Sequence, residues 1–411
     1  MLMKIRKRPH FIALAVFFLL QPLFVTKAGE PDAIAKPDEF PASGEPLALS
    51  GELTMVDHVN RMGILRPDRN DKHNKYHWDL PHHFTMLPYG MAFRCGSPAT
   101  LGDLPLRTHL HGLFFLGQEG DYKVPLLHTE YAQKVANDPN QFSPDSPWNQ
   151  VLRLEDDFSL YQRQGVVWKI LSMDSITWKL VAERIDPEPA PTKAEGLTGK
   201  QTFDFTEATR IWVGTGIGEL DDLKVGQKVL FNLEWATLYG AGRLTDVWVD
   251  VQARETAGKL QNRTFLQHLR DRGFPARIDH VEHLGAAKGE VTASFYQGPR
   301  PVDFKLFKAN TSGRLAVVEQ NLRTYHDAGL GIRFLEVLHT GNPPPGHSGV
   351  SVKFHVGELL EGIRPGRSVR LLPNGWLPQV LPREERLAPF DIRPLFLEAD
   401  PQETGKHPQR L

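Results

Sequence analysis

Short runs in which apolar and polar residues alternate, separated at close intervals by Gly, Asn and Asp, restrict this chain's folds most. Ile176, Trp178 and Leu180 alternate with Thr177 and Lys179; Phe203 and Phe205 flank Asp204. Val247, Val249 and Val251 alternate with Trp248 and Asp250, and Phe304 and Leu306 with Asp303 and Lys305. A period of two places one set of side chains on each face of a strand, and frequent turn residues point to an all-β barrel or sandwich. Helices are expected only as minor connectors. One is capped by Thr264 with Gln267 three residues on, carries Phe265, Leu266 and Leu269, and stops at Gly273 and Pro275. A second is expected around Thr129 to Val135.

Three segments repeat one pattern. They begin at Leu101, Leu220 and Leu360, place Leu104, Leu223 and Ile363 three residues on, then make a turn, then a strand whose first inward residue is Leu110, Val229 or Val369. Gly226 and Gly366 occupy the turn in two copies, where positive φ suits glycine. Arg107 stands there in the first copy, so that turn is expected to differ. A strand precedes each copy, at Phe84 to Cys95, Phe203 to Val213 and Val350 to Val356. Repetition at this level predicts tandem modules, with strands at Arg107–Phe115, Lys228–Trp235 and Ser368–Leu372 in equivalent places.

The middle copy, from Thr202 to Ile211 and then Leu220-Asp-Asp-Leu-Lys-Val-Gly-Gln-Lys-Val-Leu230, resembles the small OB-like β-barrel domains of exported bacterial proteins. Many of those have no known function, and others are periplasmic copper-binding barrels. The resemblance implies tandem OB-like barrels. It carries no chemistry of its own. The copper-binding barrels use a His and two Met preceded by Trp-Pro; this chain has Leu87-Pro88 before Met91, and Ala92 or Phe93 at the second Met. The chain divides into a signal peptide (1–28), a disordered leader (29–47), a His-rich barrel (48–118), a connector (119–157), a second barrel (158–255), a helical connector (256–276), a third barrel (277–380) and a Pro- and charge-rich tail (381–411).

The signal-peptide expectation rests on Lys4, Arg6, Lys7 and Arg8 ahead of the apolar run Phe11 to Val25, then Thr26-Lys27-Ala28 before Gly29. The run is short for a membrane span and holds Pro22. A cleaved, periplasmic or secreted protein with no later membrane span is expected, a retained anchor being the alternative. Formal net charge is −1, which gives no footprint for nucleic acid. Cys95 is the only cysteine, so no disulfide forms within the chain.

Histidine is concentrated between His58 and His128. His109 and His111 flank inward-pointing Leu110, so both imidazoles face away from the core and can chelate a metal, Zn or Cu being the natural occupants. His82 or His83, on the preceding strand, is the expected third ligand, with Met86 and Met91 as thioether candidates. Glu155-Asp156-Asp157 is an acidic run that reads as a solvated loop, with a part in cation binding as the alternative. No nucleophile motif or phosphate loop occurs, Gly214 to Gly218 reads as a hairpin loop, and no catalytic residue is assigned. Three functions fit these residues. The leading one is an exported non-enzymatic barrel protein that binds a partner or ligand of the cell envelope, with no cofactor required. The others are periplasmic Cu or Zn binding through the His-rich module, and a metal-dependent hydrolase.

Overall fold

The computed structural model describes residues 39–58, 61–68, 82–117, 148–190, 195–234, 241–285, 287–317, 330–360 and 362–377. The segment read as a signal peptide, residues 29–38 of the leader, the whole of the tail, Trp235, and the helix expected near Thr129 lie outside the described residues. The fold is all-β with minor helices, arranged as three small closed barrels in tandem.

Barrel 1 contains β1 (Leu47–Asp57), β2 (Met62–Pro67), β3 (His82–Arg94), β4 (Ser97–Ala99), β5 (His109–Phe115) and β6 (Gln150–Asp156). It closes in the order β1-β2-β3-β6-β5, with β3 and β6 parallel and β4 flanking β3. Barrel 2 contains β7 (Val167–Asp174), β8 (Lys179–Ile185), β9 (Lys200–Asp204), β10 (Arg210–Val213), β11 (Gly216–Ile217), β12 (Lys228–Glu234) and β13 (Arg243–Trp248). It closes as β7-β8-β9-β13-β12, again with a parallel pairing to its last strand. Both follow the OB order. Barrel 3 contains β14 (Phe274–Gly285), β15 (Lys288–Tyr296), β16 (Ser312–Val317), β17 (Leu330–His339), β18 (His347–Val356) and β19 (Ser368–Leu372). It closes as β14-β15-β18-β17-β16-β19 with every pairing antiparallel, so beyond its first hairpin and closing strand it departs from the other two.

The three repeated segments occupy one structural position. In each, the apolar residue at the fourth place donates its N–H to the carbonyl of the first: Leu104 to Leu101, Leu223 to Leu220 and Ile363 to Leu360. In each, the turn then grips the barrel's first strand with the same pair of backbone bonds. Arg107, Gly226 and Gly366 donate to Leu53, Ile170 and Ile278, whose own N–H groups donate to Thr108, Gln227 and Arg367. All three gripped residues are fully buried, and each lies beside a β-bulge that curves its strand toward closure.

The turn in the first copy does not differ. Arg107 has φ 72°, beside 91° for Gly226 and 88° for Gly366, because the hydrogen-bond pair to the first strand dictates the backbone whatever the side chain. Arg107 is two-thirds exposed, and the buried carboxylates it pairs with, Glu52 and Glu234, keep Arg66 and Arg243 as partners without it. Arg107→Gly is therefore expected to be neutral or stabilising by up to about 1 kcal/mol, and Gly366→Ala to cost about 1–2 kcal/mol. Equal losses in urea melts of the two variants would refute a shared turn geometry.

Several boundaries shift. Strand β6 falls in the stretch read as a connector and completes barrel 1, because the parallel partner of β3 must come from beyond the hairpin strands. The long helix α2 runs Val251–Arg272, capped by Asp250, which accepts from Ala253 N at 2.7 Å. Thr264 lies inside it and bonds back to Leu260 O. The first turns bury few residues, so no apolar stripe marks them in the sequence. Its expected end at Gly273 stands, with φ 85°. Ile176 lies in the β7–β8 turn, 89% exposed, with Asp174 accepting from its N–H. Phe304 and Leu306 belong to a short 3-10 turn in which Phe304 and Phe307 are buried, a spacing of three rather than two.

Barrel 2 is centred on Trp168, Phe203 and Phe231, and barrel 3 on Phe274, Phe295, Phe334 and Phe354. The barrels also pack on one another. Met91 of barrel 1 enters the core of barrel 3, Tyr89 and Phe115 meet Tyr296, and α2 bonds barrel 1 through Ser97 Oγ to Gly258 O at 2.8 Å. Among the described residues no helix is long and apolar enough to cross a membrane.

Candidate metal centre between barrels 1 and 2

Alternation along β5 places Leu110 in the core of barrel 1, fully buried, and turns His109 and His111 to the other side. Their rings meet edge to face, with centroids 4.7 Å apart. What they face was not legible as a site in the sequence. Strand β6 runs directly into the short helix α1 (Asp157–Arg163), and the turn between them buries two carboxylates where barrel 1 meets barrel 2.

Asp156 caps α1 and ties the barrels together. Its Oδ1 accepts from Ser159 N at 2.8 Å; its Oδ2 accepts from Cys95 N at 3.0 Å in barrel 1 and from Asn232 Nδ2 at 2.8 Å in barrel 2. Burial raises its pKa despite these bonds. Asp157 turns the other way. Its Oδ1 accepts from His109 Nδ1 at 2.8 Å and from His111 Nε2 at 2.9 Å, and its Oδ2 accepts from Leu233 N at 2.9 Å. On the far side of His109, Nε2 donates to Asp68 Oδ2 at 2.8 Å, and Ser50 Oγ donates to the same oxygen.

These contacts fix protonation. A carboxylate only accepts, so each ring nitrogen that bonds one carries a proton. His109 bonds a carboxylate at both nitrogens and is an imidazolium. Burial would lower its pKa, but the charges of Asp157 and Asp68 outweigh that and raise it well above 6.5. Burial would likewise raise Asp157 and Asp68, and the charge and hydrogen bonds of His109 hold both below 3.8. The group is a closed ion cluster with a proton held between the imidazole and each acid.

The same three residues form a ligand set. One ligand atom each from His109, His111 and Asp157 lies within 4.8 Å of the others. A cleft of about 340 Å³ opens onto both His and Asp68, walled by Leu113, Leu160, Glu155 and Glu195. Arg163 braces that wall, forking onto Glu155 at 2.9 and 2.8 Å and reaching Glu195 at 2.6 Å. Two imidazoles and a carboxylate suit Zn(II) or Cu(II), and three protein ligands leave a tetrahedral ion one position for another group.

The expected His pair is thus brought together, and His82 and His83 are not brought to it. Both sit on β3, which β6 separates from β5. His82 Nε2 bonds Trp148 O at 3.0 Å and its ring packs on Phe114. Burial lowers both pKa values to about 4. Met86 and Met91 are buried in the cores of barrels 1 and 3. The acidic run read as a solvated loop is instead buried at Glu155, Asp156 and Asp157, because β6 carries it into the inter-barrel seam. One signal for this was present: Asp156, two residues ahead of Phe158 with Leu160 and Tyr161 following, fits a helix N-cap pattern. Asp68 carried no such signal.

Comparison of the chain with protein-family models, with curated proteins and with solved structures finds no match.

Proposed function

We propose that this protein is a non-enzymatic binding protein of the cell envelope that holds one divalent transition ion, Zn(II) or Cu(II), on His109, His111 and Asp157. The observation that carries this reading is the convergence of two imidazole nitrogens and a buried carboxylate oxygen beside an open cleft. The cluster keeps a proton on each nitrogen that a metal would take, so binding the ion would release one proton from His109, move the His111 proton to its other nitrogen, and take the seam from one excess negative charge to neutrality. The basic residues Lys4 to Arg8 ahead of the apolar run Phe11 to Val25, read as an export signal, support the envelope location.

Asp68 has a separate part in this reading. Asp157 and His111 lie on the Nδ1 side of His109 and Asp68 on the Nε2 side, so an ion on Nδ1 leaves the bond to Asp68 in place. A carboxylate on the second nitrogen orients a ligating imidazole and raises its basicity. Ser50, bonded to the same oxygen, holds Asp68 in turn.

Calorimetric titration of the purified chain with Zn(II) and Cu(II) at neutral pH tests the proposal. One site per chain is expected, abolished by His109→Ala with His111→Ala. Asp68→Asn is expected to weaken binding roughly 10–100-fold, and Asp68→Glu to restore most of it. Absence of heat from both metals, or equal binding by the double variant, would leave the cluster as an inter-barrel ion pair and nothing more.

A further inference from the structure

A wider groove, of about 670 Å³, lies elsewhere, on the outside of barrel 3. Its wall is set by strand register. Ser312 on β16 lies opposite Arg333 on β17, and Arg333 lies opposite His355 on β18. Directly paired residues share a face of the sheet. The intervening Ile332, Phe334, Phe354 and Val356 fill the barrel interior, so Ser312, Arg333 and His355 face outward together. Arg314, two residues along β16 from Ser312, joins the same face opposite Gly331.

The floor is made by missing side chains. A Cβ added at Gly331, Gly357 or Gly375 would meet no atom within 4 Å. The far wall is the turn after β19, where Asn374 accepts from Ser312 Oγ at 2.9 Å and the Trp376 ring lies 5.9 Å from Phe274. Among the described residues the groove is therefore lined by the guanidiniums of Arg314 and Arg333, an imidazole, an amide and an indole, and by no carboxylate. Guanidinium forks match carboxylate or sulfate groups, and the half-buried Trp376 indole, which packs on Phe274 with Arg270 over its ring, adds apolar surface to the groove wall.

We infer that this groove is a binding site for a short anionic saccharide, one bearing uronate or sulfate groups on its rings. The volume suits a small ligand of more than one ring. The cationic character is local. Glu290 pairs in register with His355, and Glu336 with Lys353. A long polyphosphate running along the sheet would meet those carboxylates, which argues for a short acidic sugar over a nucleic acid. The site shares no residue with the metal centre, so the two readings stand or fall separately.

The test is calorimetric titration of the full chain with a galacturonic acid trisaccharide and with its neutral methyl ester. Binding of the acid at one site is expected, with the ester at least roughly tenfold weaker, since a charge-assisted bond is lost. Arg333→Glu, at an exposed position, should weaken the acid to a similar degree. Gly331→Phe, filling the floor at a residue of ordinary φ, should abolish binding, with circular dichroism checking that each variant folds. Removing the metal ligands should leave sugar binding unchanged. No binding of the acid, equal binding of acid and ester, or binding that Gly331→Phe and Arg333→Glu both leave intact would overturn the inference.

Discussion

Asp157→Asn is expected to destabilise the chain by about 3–5 kcal/mol, the usual consequence of removing one partner from a buried ion cluster. The side chain is fully buried and serves three donors, His109, His111 and the Leu233 N–H, which belong to two different barrels. Asparagine keeps the shape but can accept at only one of its two terminal atoms. It therefore sets an amide nitrogen against donors that need an acceptor. His109 also loses one of the two charges that hold its proton. The loss should appear in differential scanning calorimetry as earlier melting of barrels 1 and 2, with barrel 3 less affected because the donors that Asp157 serves belong to barrels 1 and 2 alone. Glu255→Ala serves as control. That exposed pair with Lys259 on α2 contributes about 0.3–0.5 kcal/mol. Asp157→Asn melting like the control would show that the seam does not depend on this carboxylate.

The second large effect is in pH. His109 has a folded pKa raised above 6.5. It therefore contributes fully below that value, and its contribution is lost as pH rises through the folded value. Asp157 and Asp68 have folded values below 3.8, so they contribute above 3.8 and lose that contribution as pH falls through the folded values. The stability difference between the parent and His109→Gln should thus form a plateau of about 3–5 kcal/mol from roughly pH 4 to 6.5. It should decline on both sides. His82 and His83, lowered to about 4, act in the opposite sense. They contribute above 6.5 and are lost as pH falls toward 4, so the parent alone weakens across the window where the difference stays flat. Asp156, raised by burial, contributes below its folded value and loses that contribution as pH rises. Urea denaturation of both proteins from pH 3 to 9 separates these terms. A difference that grows steadily with pH would refute the imidazolium assignment.

Particular residues show what could be read in advance. The alternation at Leu180, Phe203 and Val247 identified strands because a half-buried strand has a strict period of two, and the three turns before β5, β12 and β19 could be aligned from a handful of apolar positions. Those features are local: each depends on residues within one strand or one turn. The same locality made the orientation of His109 and His111 legible, since Leu110 between them had to face the core. It failed at Phe304 and Leu306, where a period of two over four residues does not distinguish a strand from a 3-10 turn, and at α2, whose first turns bury too little to leave a stripe.

What the sequence by itself determined, then, is the strand content, the repeated turn that closes each barrel, and the shared face of the His pair. Tertiary structure alone decided the rest, because it depends on which strands lie side by side. The placement of β6 between β3 and β5 removes His82 and His83 from the pair. The turn from β6 into α1, seated in the seam between two barrels, delivers Asp157 in their stead. No periodicity encodes that juxtaposition. It arises from closing barrel 1 with a strand 35 residues beyond β5 and packing the result against barrel 2 at Asn232 and Leu233.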